Sequence, residues 1–355
     1  MPLNRLEIDD FRCIERASLA LDSRYNLFVG ENASGKTSLL EAIFFLGRGR
    51  SFRTRRLDRL VRQGQDGFRL VGWVGGEGPA TVLGIAGSRE GTEIRVGGSS
   101  APSTAALAEH FPPQIIDPDV HKLLEEGPTR RRRFLDWGVF HVEHSFMDVW
   151  QRYHRALRQR NAALRQNAGR FAIDAWDQEL LQAGERLDVL RREYLAQLAE
   201  PLNAVGAALL GLEVTVAYSS GWAQDDTFLT ALEKSRERDG RLGITHVGPH
   251  RADISIRVGG QLAKERVSRG QQKLLASALI LAQLRVQETL HPGRGALLLD
   301  DPAAELDGTR LTALLGVVRG LSSQLFVTSL RPELESLGDP GAMFHVEHGR
   351  IRTHD

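Results

Sequence analysis

The apolar run Leu27–Val29 leads straight into Gly30–Thr37, GENASGKT, and the apolar, helix-compatible run Ser38–Leu46 follows. Strand, glycine-rich turn and helix in that order restrict this part of the chain to an α/β core with one phosphate-binding corner. Gly30 and Gly35 let the backbone curl so that the N–H groups of the intervening Glu31, Asn32, Ala33 and Ser34 turn inward to cradle phosphate oxygens. Lys36 brings a point charge to the β- and γ-phosphates, and Thr37 offers a hydroxyl to Mg²⁺. The pattern implies a bound nucleoside triphosphate.

The chain's 355 residues are enough for about two domains. No apolar run approaches the roughly 18 residues of a membrane span; Leu274–Leu284 is interrupted by Ser277 and Gln283. The charged N-terminus has no signal-peptide core, and the single cysteine, Cys13, rules out an intramolecular disulfide framework. A cytoplasmic protein is expected. Net charge is only +1, but its distribution is uneven. Seven arginines, including Arg48, Arg50, Arg53, Arg55 and Arg56, share the stretch Arg48–Arg62 with one acid, Asp58. Arg130–Arg133 is unbroken, and Trp150–Ile173 holds six arginines, Arg155 and Arg158 among them, and no acid. Arg forks grip phosphate well, so the clusters point to a polyanion such as DNA.

Short apolar-alternating runs at Asn4–Ile8, Ala17–Leu21, Asn26–Val29, Phe68–Val74, Ala80–Ile85 and Thr92–Val96 predict an antiparallel sheet appended to the nucleotide core. From Val142 to Asp239 the period is helical. Phe146, Val149, Trp150, Tyr153, Leu157 and Leu164 mark one helix. Trp176, Leu180, Ala183, Leu187, Leu190, Tyr194 and Leu198 mark a second, which Pro201 is expected to stop. The short Asn167–Asp174 connection makes them antiparallel neighbours, each about 33 Å long. An α/β pattern returns after Arg241, with a strand in HRADISIRV, a helix at Gln271–Gln287, a buried strand at Ala296–Leu299, a helix at Leu311–Arg319 and a strand at Gln324–Thr328. The expected division is 1–115 and 241–355 as two parts of one α/β head, with 116–240 as a helical insert.

Ala296–Asp301, ALLLDD, is four apolar residues ending in two carboxylates, as on a buried parallel strand whose carboxyl end faces a ligand. Asp300 is placed to orient Mg²⁺, and Asp301 to polarise an attacking water. Ser268–Lys273, SRGQQK, opens a helix with a hydroxyl and backbone N–H groups suited to an anion. FHVEH occurs at Phe140–His144 and Phe344–His348; it lacks the spacing of a zinc-protease helix and reads as two local elements. His250 and Arg251 in GPHRAD are open to two readings, a structural turn or a contact to nucleotide or DNA.

The order P-loop, SRGQQK, LLLDD and AAELD (Ala303–Asp307) resembles ABC-type ATPases. That resemblance implies an α/β head in which two copies sandwich two ATP molecules. Ser268, Arg269, Gly270 and Gln271 then form a signature acting on the partner's γ-phosphate, and Asp307 lines the dimer interface. It also implies a Q-loop role for Gln114, touching Mg²⁺, and places Arg12 beside the nucleotide. PTRRRRFLDWGVFHVEH at Pro128–His144, VGPHRADI at Val247–Ile254 and LLLDDPAAELD at Leu297–Asp307 sharpen the likeness. Together they resemble the RecF family of bacterial recombination-mediator ATPases, related to SMC proteins, over nearly the whole chain. The family implies a weak, DNA-dependent ATPase that dimerises on ATP and binds single- and double-stranded DNA, including gaps and junctions. It works with RecR and RecO to load RecA during repair, replication and the SOS response.

Three departures from the general ABC pattern accompany this. The signature is SRGQQ, Asp301 stands where transporters use Glu, and Thr328 or Ser329 occupies the switch-histidine position. They argue for slow hydrolysis. An ABC transporter's energy-coupling subunit is the alternative, but it places its signature far closer behind the P-loop than the roughly 230 residues between Lys36 and Ser268. A P-loop kinase for a small metabolite leaves SRGQQK and the arginine clusters without a role.

Overall fold

The computed structural model describes residues 1–76, 78–332 and 335–353. It divides into two compact units, Met1–Val120 with Lys273–Asp355, and His121–Gln272.

The first unit holds two six-stranded sheets. One is antiparallel, in the order Ile14–Ala20, Leu3–Phe11, Gly67–Val74, Thr81–Ser88, Gly91–Val96, Ser99–Ser100. The other runs Arg350–Thr353, Ala342–Glu347, Tyr25–Val29, Gln324–Ser329, Ala296–Asp300, Pro113–Ile116, and is parallel except for its first strand. Tyr25–Val29, Ala296–Asp300 and Gln324–Ser329 are buried at every position, which explains the apolar runs at their centres. The P-loop helix Lys36–Arg48 packs against strands of both sheets. Leu39, Leu40, Ile43, Phe45 and Leu46 are therefore fully buried around its whole circumference, so it shows no polar face. Phe11, Phe45 and Phe68 stack edge to face at the centre of this core.

The second unit is built on helices Pro128–Val142, Phe146–Arg165, Arg170–Leu210 and Phe228–Leu242, with the small sheet Gln261–Leu262, Asp253–Val258, Val214–Ser219. Arg152 pairs with Glu179 and Arg160 with Asp177, so numbers rise on one helix as they fall on the other, and the two run antiparallel as the short connection requires.

Three features differ from the sequence reading. The helix expected to stop at Pro201 continues to Leu210, 41 residues in all, or about 60 Å. Proline removes one helical hydrogen bond at a cost of about 3 kcal/mol. Leu202, Val205 and Leu209 beyond it are buried, each worth roughly 1.5–3 kcal/mol, and the helix packs on Val214–Ser219. That strand lies inside the stretch read as wholly helical. It pairs along its full length with Asp253–Val258, so residues 241–272 cluster with the helices and the unit boundaries fall at 120 and 272 rather than at 115 and 240. Finally, FHVEH ends a helix at its first occurrence and forms strand Ala342–Glu347 at its second. Five identical letters take their structure from what flanks them. Neither occurrence belongs to a cluster of three metal-ligating side chains among the described residues.

Candidate nucleotide site and basic surfaces

Val29, Ser329 and Asp300 end three adjacent parallel strands at one level, because Val29 pairs with Ser329 and Asp300 with Thr328. The P-loop leaves from that level, and Gly30 N–H donates to the Ser329 carbonyl at 3.3 Å. Glycine is required at position 30, since a Cβ there would lie 2.2 Å from the Val346 carbonyl oxygen. Gly35 sits at φ +115 and Ala33 at φ +62; alanine in that region costs roughly 1–2 kcal/mol, a strain held by the loop. Lys36 reaches back under the loop, and its Nζ donates to the carbonyls of Gly30 at 2.6 Å and Glu31 at 2.8 Å. Burial pulls the Lys36 pKa below its ordinary value while Asp301 and Asp300 push it back up, so both carboxylates face this ammonium. Ser34 is buried and its hydroxyl has no partner among the described residues, which suits a donor awaiting a phosphate oxygen. Glu31 and Asn32 are exposed.

Opposite the loop, Asp300 Oδ1 accepts from Thr37 at 3.1 Å and from Thr328 at 2.9 Å. Burial raises the Asp300 pKa, with Thr328, Thr37, Arg53 and Lys36 opposing it. A desolvated carboxylate beside a hydroxyl, two hard oxygens, fits Mg²⁺. Asp301 follows in the left-handed region at φ 45, its N–H held by Thr328 Oγ1 at 2.9 Å. Thr328, one of the two residues expected at the switch position, is thus fully buried and orients both acids.

Not every expected residue reaches this site. Gln114 pairs with Leu297 inside the strand Pro113–Ile116, three residues before the level of Asp300, or about 10 Å back. The structure therefore removes it from the Mg²⁺ position; Asp117 is the residue level with Asp300. Arg12 is engaged within the fold, on the P-loop helix. Nε and Nη2, one edge of its guanidinium, clasp Glu41 at 2.7 Å each, and Nη1 donates to the Arg59 carbonyl. Glu41, fully buried on the P-loop helix, also accepts from Ser51 and lies 3.7 Å from Arg53. It is a charge hub that the sequence hid, because one acid inside an apolar helix looks like a surface residue. The loop has a second unforeseen support, a bond at 2.8 Å from Gly349 N–H to the Ser34 carbonyl.

In the second unit, Ser268 and Gln271 cap their own helix. Ser268 N–H donates to Gln271 Oε1 at 2.9 Å and Gln271 N–H to Ser268 Oγ at 3.4 Å, a capping box that exposes the start of Arg269–Leu290. Ser268 and Arg269 are exposed, Gly270 half-buried. Asp307, in the first unit, caps Gly308–Arg319 through Arg310 N–H and is exposed.

The arginine clusters divide once partners are seen. Arg48 is half-buried and engaged within the fold. Its guanidinium lies over Phe44 and donates to the Pro113 carbonyl, and burial holds its pKa well below the usual value. Arg53 turns toward Glu41, Arg56 pairs with Asp58, and Arg62 with Asp10. Arg131 grips Asp253 with the Nε and Nη2 edge of its guanidinium, and Arg132 donates to the Ala252 carbonyl. Arg50, Arg55, Arg155 and Arg158 remain exposed.

His250 takes the structural reading. Its Nε2 faces the Thr245 carbonyl at 3.0 Å, an acceptor only, so Nε2 carries the proton and Nδ1 accepts from Tyr153 Oη at 2.7 Å. Arg251 is exposed. Burial lowers the pKa of His250 to about 4, and that of His154 likewise. Unfolded histidine titrates near 6.5, so the unfolded chain gains a proton first as pH falls. Stability is therefore full above about pH 6.5 and declines toward pH 4, by roughly 3 kcal/mol for either residue. Urea unfolding at stepped pH should show this slope, and a His250→Gln variant should flatten it. Equal slopes in parent and variant would refute the assignment.

A family model described as the RecF/RecN/SMC N terminal domain matches residues 2–351. DNA replication and repair protein RecF of Chromohalobacter salexigens is 42% identical over 367 residues, covering 99% of this chain and 100% of that protein. Its namesake from Pectobacterium atrosepticum is 41% identical over 355 residues, covering 99% and 98%. Among solved structures, the recombination mediator protein RecF with ATP, of the RecFOR pathway, superposes with a TM-score of 0.89 at 26% identity, covering 100% of this chain and 98% of that one. An Smc head bound to the C-winged helix domain of ScpA superposes at 0.62 and 15% identity, covering 100% and 97%, a likeness of fold.

Proposed function

Because the chain belongs to the RecF family, ATP-binding ABC-type ATPases of DNA replication and repair, we propose that it is an ATP-switched clamp on DNA. The observation that carries this is the meeting of Lys36, Thr37, Asp300, Asp301 and Thr328 at one corner of the parallel sheet. Thr37 and Asp300 would hold Mg²⁺, which would screen phosphate charge. Lys36 exchanges the loop carbonyls for phosphate oxygens, and the Ser34 hydroxyl donates to another. Asp301, fixed by Thr328, takes the proton of the attacking water. As a short carboxylate it does so slowly, which suits a switch better than a motor.

The clamp closes by dimerisation. Two copies sandwich ATP, with the Ser268–Gln271 helix start of one, exposed at Ser268 and Arg269, donating to the γ-phosphate held by the other, and Asp307 at the seam. ATP drives closure only by binding the dimer better than the monomer. DNA is held through phosphate by exposed arginines such as Arg50, Arg55, Arg155 and Arg158, without sequence preference and with steep salt dependence. RecR, RecO and RecA are the partners in this reading, with gaps and junctions as the DNA engaged.

Sedimentation of parent and Ser268→Arg with ATP, ADP and no nucleotide tests it. Parent should dimerise on ATP alone, and Ser268→Arg should bind ATP near the parental affinity yet stay monomeric. A variant that still dimerises, or a parent that dimerises equally without nucleotide, removes the sandwich.

A further inference from the structure

Helices Pro128–Val142, Phe146–Arg165 and Arg170–Leu210 meet the turn Pro249–Arg251 in a cluster where arginines outnumber acids. The two carboxylates that bear on Arg132 are already claimed, Asp253 by Arg131 and Asp136 by Arg191, both at 2.8 Å. Three guanidiniums are left over. Arg132, Arg158 and Arg251 have no ion pair among the described residues, and Arg132 donates instead to neutral oxygens, the Ala252 carbonyl at 2.8 Å and Thr129 Oγ1 at 3.2 Å.

These charges act on one another. Burial lowers the pKa of Arg132 below its ordinary value, and Arg191 and Arg251 lower it further. His154, half-buried and one turn before Arg158 on the same helix face, is held to about 4 by burial and then by Arg191, His250, Arg158 and Arg132. Four elements thus gather cations around one neutral imidazole. A half-buried cation without a counter-ion is costly to keep, and a bound anion relieves the mutual repulsion. The turn holds Arg251 in place: the Pro249 carbonyl accepts from Arg191 Nη1 at 2.7 Å, the Ala252 carbonyl from Arg132, and His250 Nδ1 from Tyr153. Arg251 lies between these bonds and is exposed. Residues 128–133, 150–158 and 249–253 expose no large apolar side chain. An acidic protein segment would find charge there but no apolar anchor, whereas phosphate needs only the guanidinium forks.

We propose that Arg132, Arg158 and Arg251 form a single seat for one backbone phosphate of DNA on the helical unit. The proposal rests on the DNA-binding reading above and deepens it. Arg132 and Arg251 join the contact, and three arginines from three elements converge on one phosphate instead of each meeting its own. A phosphate carries no base identity, so no sequence preference follows.

Fluorescence anisotropy on a DNA duplex with ATP, at stepped salt, tests it through Arg132→Gln, Arg251→Gln and the two combined. Each single variant should lose about tenfold in affinity at low salt, the worth of one charge-assisted hydrogen bond. The combined variant should fall well short of the product of the two losses, because losing either arginine already frees the phosphate. Its slope of log affinity against log salt should drop by about one, the count for one phosphate. Arg251→Gln should melt at the parental midpoint, since that side chain has no partner in the fold, which separates the test from any cost of removing the Arg132 bonds. Losses that multiply, with a slope change of about two, mean two separate contacts and overturn the seat. Arg251→Gln matching the parent in affinity overturns the proposal and leaves the cluster to an acidic protein segment. A parent that does not bind DNA overturns the DNA-binding reading and the seat with it.

Discussion

Replacing Arg160 with leucine is expected to destabilise the helical unit by about 3–5 kcal/mol, the cost of leaving a buried charge uncompensated. Arg160 is fully buried. Its Nε donates to Asp177 at 2.6 Å, and Nη1 to Asp239 at 2.8 Å and Thr245 at 2.9 Å. Three stretches distant in sequence meet on this one side chain. Asp177 keeps a second cation, Arg236 at 3.0 Å, but Asp239 is fully buried and, among the described residues, keeps His246 and Ser235 alone. Leucine fills much of the volume but supplies no donor, so Asp239 must take up a proton or water must enter. Adding Asp239→Asn to Arg160→Leu should recover part of the loss, because a neutral amide costs less to bury than an unpaired carboxylate. Urea unfolding of both variants at neutral pH checks this. A single variant within about 1 kcal/mol of the parent would mean that the cluster behaves as a surface pair.

That same arginine shows where sequence reading runs out. The P-loop, ALLLDD and the apolar strands were legible because their chemistry is local. Spacing within eight residues defines the phosphate cradle, and a strand buried on both faces leaves an unbroken apolar run. The six arginines of 150–173 look alike as letters, yet Arg160 is the buried centre of an ion cluster, Arg152 pairs with a neighbouring helix, and Arg155 and Arg158 face solvent. Their acids lie between 17 and 79 residues away, and no local window contains them. The Arg12–Glu41 pair is hidden for the same reason, its members 29 residues apart. Gln114 misled differently, since a lone glutamine near a strand end does not reveal the pairing register. Pro201 misled because helix propensity is a weak prior against three buried apolar residues beyond it.

Lys36→Met is expected to lower nucleotide affinity by two to three orders of magnitude, in line with the 2–5 kcal/mol lost when one member of a buried, hydrogen-bonded charge pair is truncated. Methionine nearly matches the length of the lysine stem but cannot donate. The Gly30 and Glu31 carbonyls then lose their shared partner, and the phosphates lose the one compact cation beneath the loop. Asp300 and Asp301 become more repulsive to a triphosphate, because the ammonium that faces both is gone. ATP-dependent DNA binding should disappear with ATP binding, while any residual ATP-independent attraction to phosphate persists. Asp301→Asn should behave oppositely: ATP affinity near the parental value, slower hydrolysis and a longer-lived DNA-bound state, because the change removes the base and leaves the cradle. Titration of a fluorescent ATP analogue, phosphate-release rates and DNA dissociation with ATP read the three quantities separately. Near-parental ATP affinity in Lys36→Met would show that the cradle's N–H groups suffice without the cation. Hydrolysis at the parental rate in Asp301→Asn would take Asp301 out of the proton transfer.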